Sequence, residues 1–182
     1  MGMRNLIFGL CLLSSFAIAS DVKVHIGLSP AGSFEAKAKI HNGIVKTTGS
    51  KFFAKNMYVK AKELKTGIGL RDSHLYKRLD IKSYPKIVIH KAIGAKGKGV
   101  AIVEIRGVKK KVPFRFKKKG SKVSFDMKVV LKDFRFDKKK DGLSYMGVGV
   151  KDKITISGLL PTAKYVAKRK SKKARGIASS PK

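Results

Sequence analysis

Residues 123–131 read Val-Ser-Phe-Asp-Met-Lys-Val-Val-Leu. Val123, Phe125, Met127, Val129 and Leu131 alternate with Ser124, Asp126, Lys128 and Val130. A period of two sends one set of side chains to a dry face and the other to water, which is the signature of a half-buried β-strand. The same reading holds on both sides of this stretch. Upstream, Val112, Phe114 and Phe116 alternate with Pro113, Arg115 and Lys117. Further back, Met57, Val59 and Ala61 alternate with Tyr58, Lys60 and Lys62. Phe34, Ala36, Ala38 and Ile40 alternate with Glu35, Lys37, Lys39 and His41, and Val22, Val24, Ile26 and Leu28 with Lys23, His25 and Gly27. Residues 87–90, 100–105 and 153–157 complete a set of about eight strands.

Turn signals separate these strands: Pro30-Ala31-Gly32, Asn42-Gly43, the glycines at 94, 97 and 99, Gly107, Gly120 and Asp141-Gly142. Each strand offers lysine on one face only. A single sheet with one dry face can hide it by closing on itself, which also removes the pairing edges. The expected fold is therefore all-β, an antiparallel up-and-down barrel. One segment breaks the pattern. Asp72 is placed to cap a short helix over residues 73–79, with Leu75 and Leu79 on one side at i, i+4. Tyr84-Pro85 then enforces an extended entry into the next strand. The dry faces carry Ala36, Ala38, Val59 and Ala61 beside Phe34, Phe114, Phe116, Phe125, Met127 and Val129. Small residues among aromatics either taper a solid core or leave a slot, and an eight-stranded barrel accommodates both.

The N-terminus reads as a targeting segment. Arg4 precedes an apolar run over residues 6–13, too short to span a bilayer as a helix, and Ala17-Ile18-Ala19 is a small-x-small cleavage pattern. We expect a secretory signal peptide over residues 1–19, cut after Ala19, and a periplasmic or secreted product. Leu10 before Cys11 does not fit a lipoprotein signal. The cut removes the single cysteine, so the exported chain carries no disulfide and no thiolate ligand. One domain is expected over residues 20–162, followed by a basic, flexible tail over 163–182.

The charge is extreme: 43 Lys+Arg against 11 Asp+Glu, a formal +32. The excess lies in the body as well as the tail. Such a field attracts anionic headgroups, lipopolysaccharide or nucleic acid. The tail reads as an electrostatic tether to an anionic membrane surface. A nucleic-acid or anionic-polymer binder is the alternative reading. Against nucleic acid, Phe114, Phe116 and Phe125 alternate away from Arg115 and Lys122, so they point inward where bases cannot stack.

Enzymatic chemistry finds no support. Gly94-x-x-Gly97-x-Gly99 opens a strand and not a helix, so it is a hairpin and not a phosphate cradle. Asp72-Ser73-His74 holds triad residue types in adjacent positions, without the separate elements a triad requires. His25, His41 and His90 fall on outward faces, and the four histidines show no ligand spacing, so no metal site and no cofactor are expected.

The central block resembles the YceI-like family. The matching residues are Thr66-Gly67, Arg71-Asp72-Ser73-His74-Leu75, Tyr84-Pro85, Arg106-Gly107-Val108 and the run Val150-Lys151-Asp152-Lys153-Ile154-Thr155-Ile156. The resemblance spans about residues 22–160. It implies a lipocalin-like barrel that holds a long isoprenoid or similar amphipathic lipid inside, as a non-catalytic carrier or store. The alternating dry-face residues named above would then line the ligand. Arg71, Asp72 and His74 would lie at the mouth, near the head of the lipid. A homodimer through the outer face is compatible with this reading.

Overall fold

The computed structural model describes residues 20–42, 45–137, 144–145 and 148–164. The signal-peptide segment and the tail beyond Lys164 lie outside the described residues. The strands are β1 (Asp21–Ser29), β2 (Ser33–Lys39), β3 (Val45–Thr48), β4 (Lys51–Lys60), β5 (Lys86–Ala95), β6 (Lys98–Ile105), β7 (Val108–Lys119), β8 (Lys122–Val130), β9 (Ser144–Tyr145) and β10 (Val148–Lys164). One α-helix, α1 (Gly69–Leu79), and two 3-10 turns, Ala61–Glu63 and Leu131–Phe134, complete the described elements.

The strands form a closed antiparallel meander. The sheet runs β2-β1-β10 and β3-β4-β5-β6-β7-β8, and β10 also pairs with β8. His41 pairs with Tyr58 in line with the pairs Lys46–Phe53 and Thr48–Lys51. Thus β2 and β3 act as one interrupted strand beside β4. Counted this way, and with two-residue β9 set aside, the wall has the eight strands expected from the alternation.

β10 closes the ring. One edge pairs with β1 from Gly149 to Gly158, the other with β8 from Lys153 to Pro161. Past the start of β1, β10 zips onto β3 through Thr162, Ala163 and Lys164. That seam is parallel, the one departure from the antiparallel expectation among the described pairings. It arises because β1 sits as a wedge between β10 and β2 and begins only at Asp21, leaving the last residues of β10 to meet β3.

The lysine-bearing positions are outside and the apolar positions inside. In β8, Val123, Phe125, Met127 and Val129 are buried while Lys122, Asp126 and Lys128 are exposed. In β4 and β5 the parity changes midway. Ala54 and Met57 both face in, as do Ile89 and Ala92. Between the pairs Lys55–Lys91 and Met57–Ile89 lie Asn56, in the left-handed region at φ 54°, and His90. Each strand carries one extra residue at the same level, so the wall kinks without losing its inner face.

The two ends of the barrel differ. At the end away from α1, Phe52, Phe114 and Phe116 form a ring cluster with centroids 5.0–5.9 Å apart. Glycines make room for the rings. Gly99 is paired with Phe114, and a Cβ there would lie 2.6 Å from the ring. Gly158 is paired with Phe125, and a Cβ there would lie 2.7 Å from that ring. Only glycine permits so close an approach of ring to backbone. The glycine-rich hairpin at 94–99 therefore has a packing purpose as well as a turn: Gly94 in the same way faces Phe116.

Candidate ligand-binding site

At the other end the barrel is hollow. A cavity of about 600 Å³ opens beneath α1. Its wall is made by Val24, Ile26 and Leu28 of β1, Phe34 and Ala36 of β2, Ile87 of β5, Ile105 of β6, and Val150, Ile154 and Ile156 of β10. Leu64, Leu131 and Phe136 join from the segments around the rim. No buried side-chain nitrogen or oxygen among the described residues lacks a hydrogen-bond partner. Such a wall makes no polar demand and suits hydrocarbon.

Helix α1 forms the rim. It begins at Gly69, three residues before the cap position read from the sequence. Asp72 lies in its first turn, with the Asp72 amide bonded to the Ile68 carbonyl. The Asp72 carboxylate does not cap; it reaches back to Thr66. The Thr66 amide and the Thr66 hydroxyl each donate to Asp72 Oδ1 at 2.7 Å. These donors hold the Asp72 carboxyl below the usual carboxylate range. Tyr76 ties the same helix down, its hydroxyl 2.9 Å from the Lys62 carbonyl and 3.1 Å from that of Leu64. A left-handed Asp80 at φ 48° ends the helix.

Residues at 71, 74, 75, 78 and 79 share one helix face, and all five line the cavity. Leu79 is buried and Leu75 half-buried, so the apolar pair roofs the hollow. Arg71, His74 and Arg78 border it with nitrogen donors. The Arg71 guanidinium lies 4.6 Å from the centre of the Phe34 ring, a cation–π contact that fixes it over the opening. Across the rim, Arg106 stacks on Phe136 at 4.8 Å.

Of the residues read from the sequence as lining, Phe34 and Ala36 border this cavity. Ala38, Val59, Ala61 and Val129 are buried in the core outside its lining, and Phe114, Phe125 and Met127 border only the small remnant of space at the plugged end. Phe116 sits in the ring cluster there. Of the mouth residues, Arg71 and His74 border the opening, whereas Asp72 is buried on Thr66. The β1 residues of the wall were visible as alternating apolar positions, and Ile154 and Ile156 fall within the strand expected over residues 153–157. Period two assigns a side chain to the inside but does not say at which end of the barrel it lies.

Two of the histidines read as solvated have acidic partners. His41 Nε2 lies 2.8 Å from Glu63 and its ring stacks on Tyr58 at 4.9 Å, while His90 meets Glu104 across β5 and β6. His25 is exposed. Among the described residues, no three His, Cys, Asp or Glu side chains gather as ligands for a metal ion.

An up-and-down barrel with an apolar hollow at one end and a helix across its rim is a lipocalin-like architecture. The family model described as YceI-like domain matches residues 16–160, and the chain belongs to that family. Burkholderia cenocepacia BcnA is a structural relative at 16% identity and a TM-score of 0.54, covering 78% of this chain and 94% of its own. A polyisoprenoid binding domain from Saccharophagus degradans, implicated in plant cell wall breakdown, aligns at 8% identity with a TM-score of 0.48, covering 78% of this chain and 91% of its own. No curated protein matches the sequence.

Proposed function

We propose that this protein is an exported, non-catalytic carrier or store for an amphipathic lipid. The hydrocarbon sits in the cavity under α1, and the head stays at the rim beside Arg71, His74 and Arg78. The observation that carries this reading is the pairing of an apolar hollow of about 600 Å³ with a rim of nitrogen donors. Each buried methylene contributes about 0.8 kcal/mol, whereas an exposed rim ion pair contributes about 0–1 kcal/mol. The wall therefore sets affinity and the rim sets orientation and head preference. Cationic Arg71 and Arg78 favour an anionic or strongly polar head. Asp72 acts through Thr66, holding the helix in place, and does not touch the head. An isoprenoid tail is the reading that the family resemblance favours, and export rests on the N-terminal segment. The alternative, a polymer binder, loses its stacking platform because Phe114 and Phe125 are buried and Phe116 is turned inward.

The direct test is organic extraction of the exported protein followed by mass spectrometry. We expect about one lipid per chain. Ala36→Trp places an indole in the hollow. It should abolish loading while lowering stability by only about 1–3 kcal/mol. A clean wild-type extract, together with failure to take up any added prenyl or acyl amphiphile, would sink the proposal.

A further inference from the structure

The barrel has a floor, and its position limits the length of ligand that can be buried. On β1 the cavity lining descends through Leu28, Ile26 and Val24 and stops before Val22. On β10 it stops at Ile156, and the next inward position, Gly158, is filled by the Phe125 ring. Beyond lie Phe114 and Met127, which with their neighbours leave about 10 Å³. The 600 Å³ of space above that floor is closed below, so the depth of the hollow and not the length of the tail sets how much hydrocarbon is buried.

Building on the carrier reading, we infer that this protein selects amphiphiles by tail length, burying isoprene units only as far as the phenylalanine floor. The phenylalanines seated on glycines close the tunnel that would admit a longer chain. These rings pack against backbone at Gly99 and Gly158, so a chain passing that level has to displace them from the wall. A longer tail leaves its surplus in water at the rim, where it gains no burial.

The test is a chain-length series. Geranyl, farnesyl, geranylgeranyl and solanesyl phosphates are titrated into delipidated protein. Affinity should rise by at least about tenfold for each added isoprene until the tail meets the floor, the gross burial being partly offset by ordering of the chain, and the gain from geranylgeranyl to solanesyl should fall well short of that rate. Phe114→Ala should move the plateau to a longer chain. Phe116→Ala, at a half-buried ring, serves the same purpose if Phe114→Ala does not fold, and the wild-type series decides even without either. Affinity that keeps rising at the same rate per isoprene through solanesyl phosphate would show an open tunnel and overturn the inference while leaving the carrier intact. Failure of every phosphate and every corresponding free prenol to bind would remove the carrier reading itself.

Discussion

Asp72 shows how a single carboxylate shapes the mouth. It is 6% exposed, yet both Thr66 donors converge on one of its oxygens. Its folded pKa lies below the unfolded value of about 3.9. The stabilisation it brings is therefore fully present above that unfolded value and is lost as pH falls through the folded pKa. Asp72→Asn keeps an acceptor for Thr66 but removes the charge. At neutral pH the variant should melt below wild type, and the gap should close as pH falls through the carboxylate range and on through the lowered folded pKa. Melting temperature against pH for the two proteins checks this; a gap that stays constant would mean the charge is immaterial. The Glu63 carboxyl, lowered chiefly by its hydrogen bond to His41, follows the same sign and persists in both proteins. The residue types Arg71, Asp72 and His74 drew notice in the sequence. Their division of labour did not, because it depends on Thr66 lying behind the helix rather than beside the opening.

Among the elements, the paired kink in β4 and β5 was the least legible. The sequence around Asn56 offers alternation on either side with the parity reversed, and nothing in a period-two pattern says which strand absorbs the extra residue. The structure places a left-handed Asn56 at the level of His90. Asn56→Ala should cost about 1 kcal/mol, since a Cβ is penalised in that conformation, whereas Asn56→Gly should cost much less. Urea midpoints of the two variants distinguish this from a side-chain effect, which would penalise both alike. Helix α1 was half legible. Leu75 and Leu79 marked its inner face, but its true start at Gly69 was hidden because glycine and isoleucine are poor helix signals. The strands of the closed end were legible throughout. Their role was not, because the meeting of Phe114 with Gly99 depends on the register of the β6–β7 hairpin, and that of Phe125 with Gly158 on the register between β8 and the distant β10.

At the scale of the whole molecule, the chain carries a formal +32, and the described lysines of its body lie on the outside of a barrel whose inner face is apolar. Along β7 alone, Lys109, Lys110, Lys111, Arg115, Lys117, Lys118 and Lys119 are all exposed. Attraction to an anionic surface is then long-ranged but easily screened, with a Debye length of about 10 Å at 0.1 M salt and about 3 Å at 1 M. Binding to vesicles containing phosphatidylglycerol should weaken more than tenfold between those salt concentrations, at about 1 kcal/mol per engaged cation. A lipid already inside the barrel should stay bound, because burial of hydrocarbon is not screened. Co-sedimentation and extraction on the same samples separate the two. Vesicle binding indifferent to salt would rule out an electrostatic origin. Barrel closure and its approximate strand count were legible in the sequence because most strands repeat the same one-sided pattern. The hollow was not, since volume depends on which end collects the rings.

The closing strand has a consequence for how the molecule is made. β1 opens the described chain and β10 ends it, and each waits for the other: Val22 pairs with Gly158, and Val129 of β8 with Ile154. A polypeptide delivered N-terminus first can complete its hairpins as they emerge, but the cylinder stays split along one seam until the final segment arrives. Contacts so distant along the chain make folding slow. During that interval the greasy interior is open to water and to other molecules, so biogenesis is the stage at which this protein is most exposed to aggregation and also the stage at which a hydrocarbon guest could be enclosed as the seam shuts.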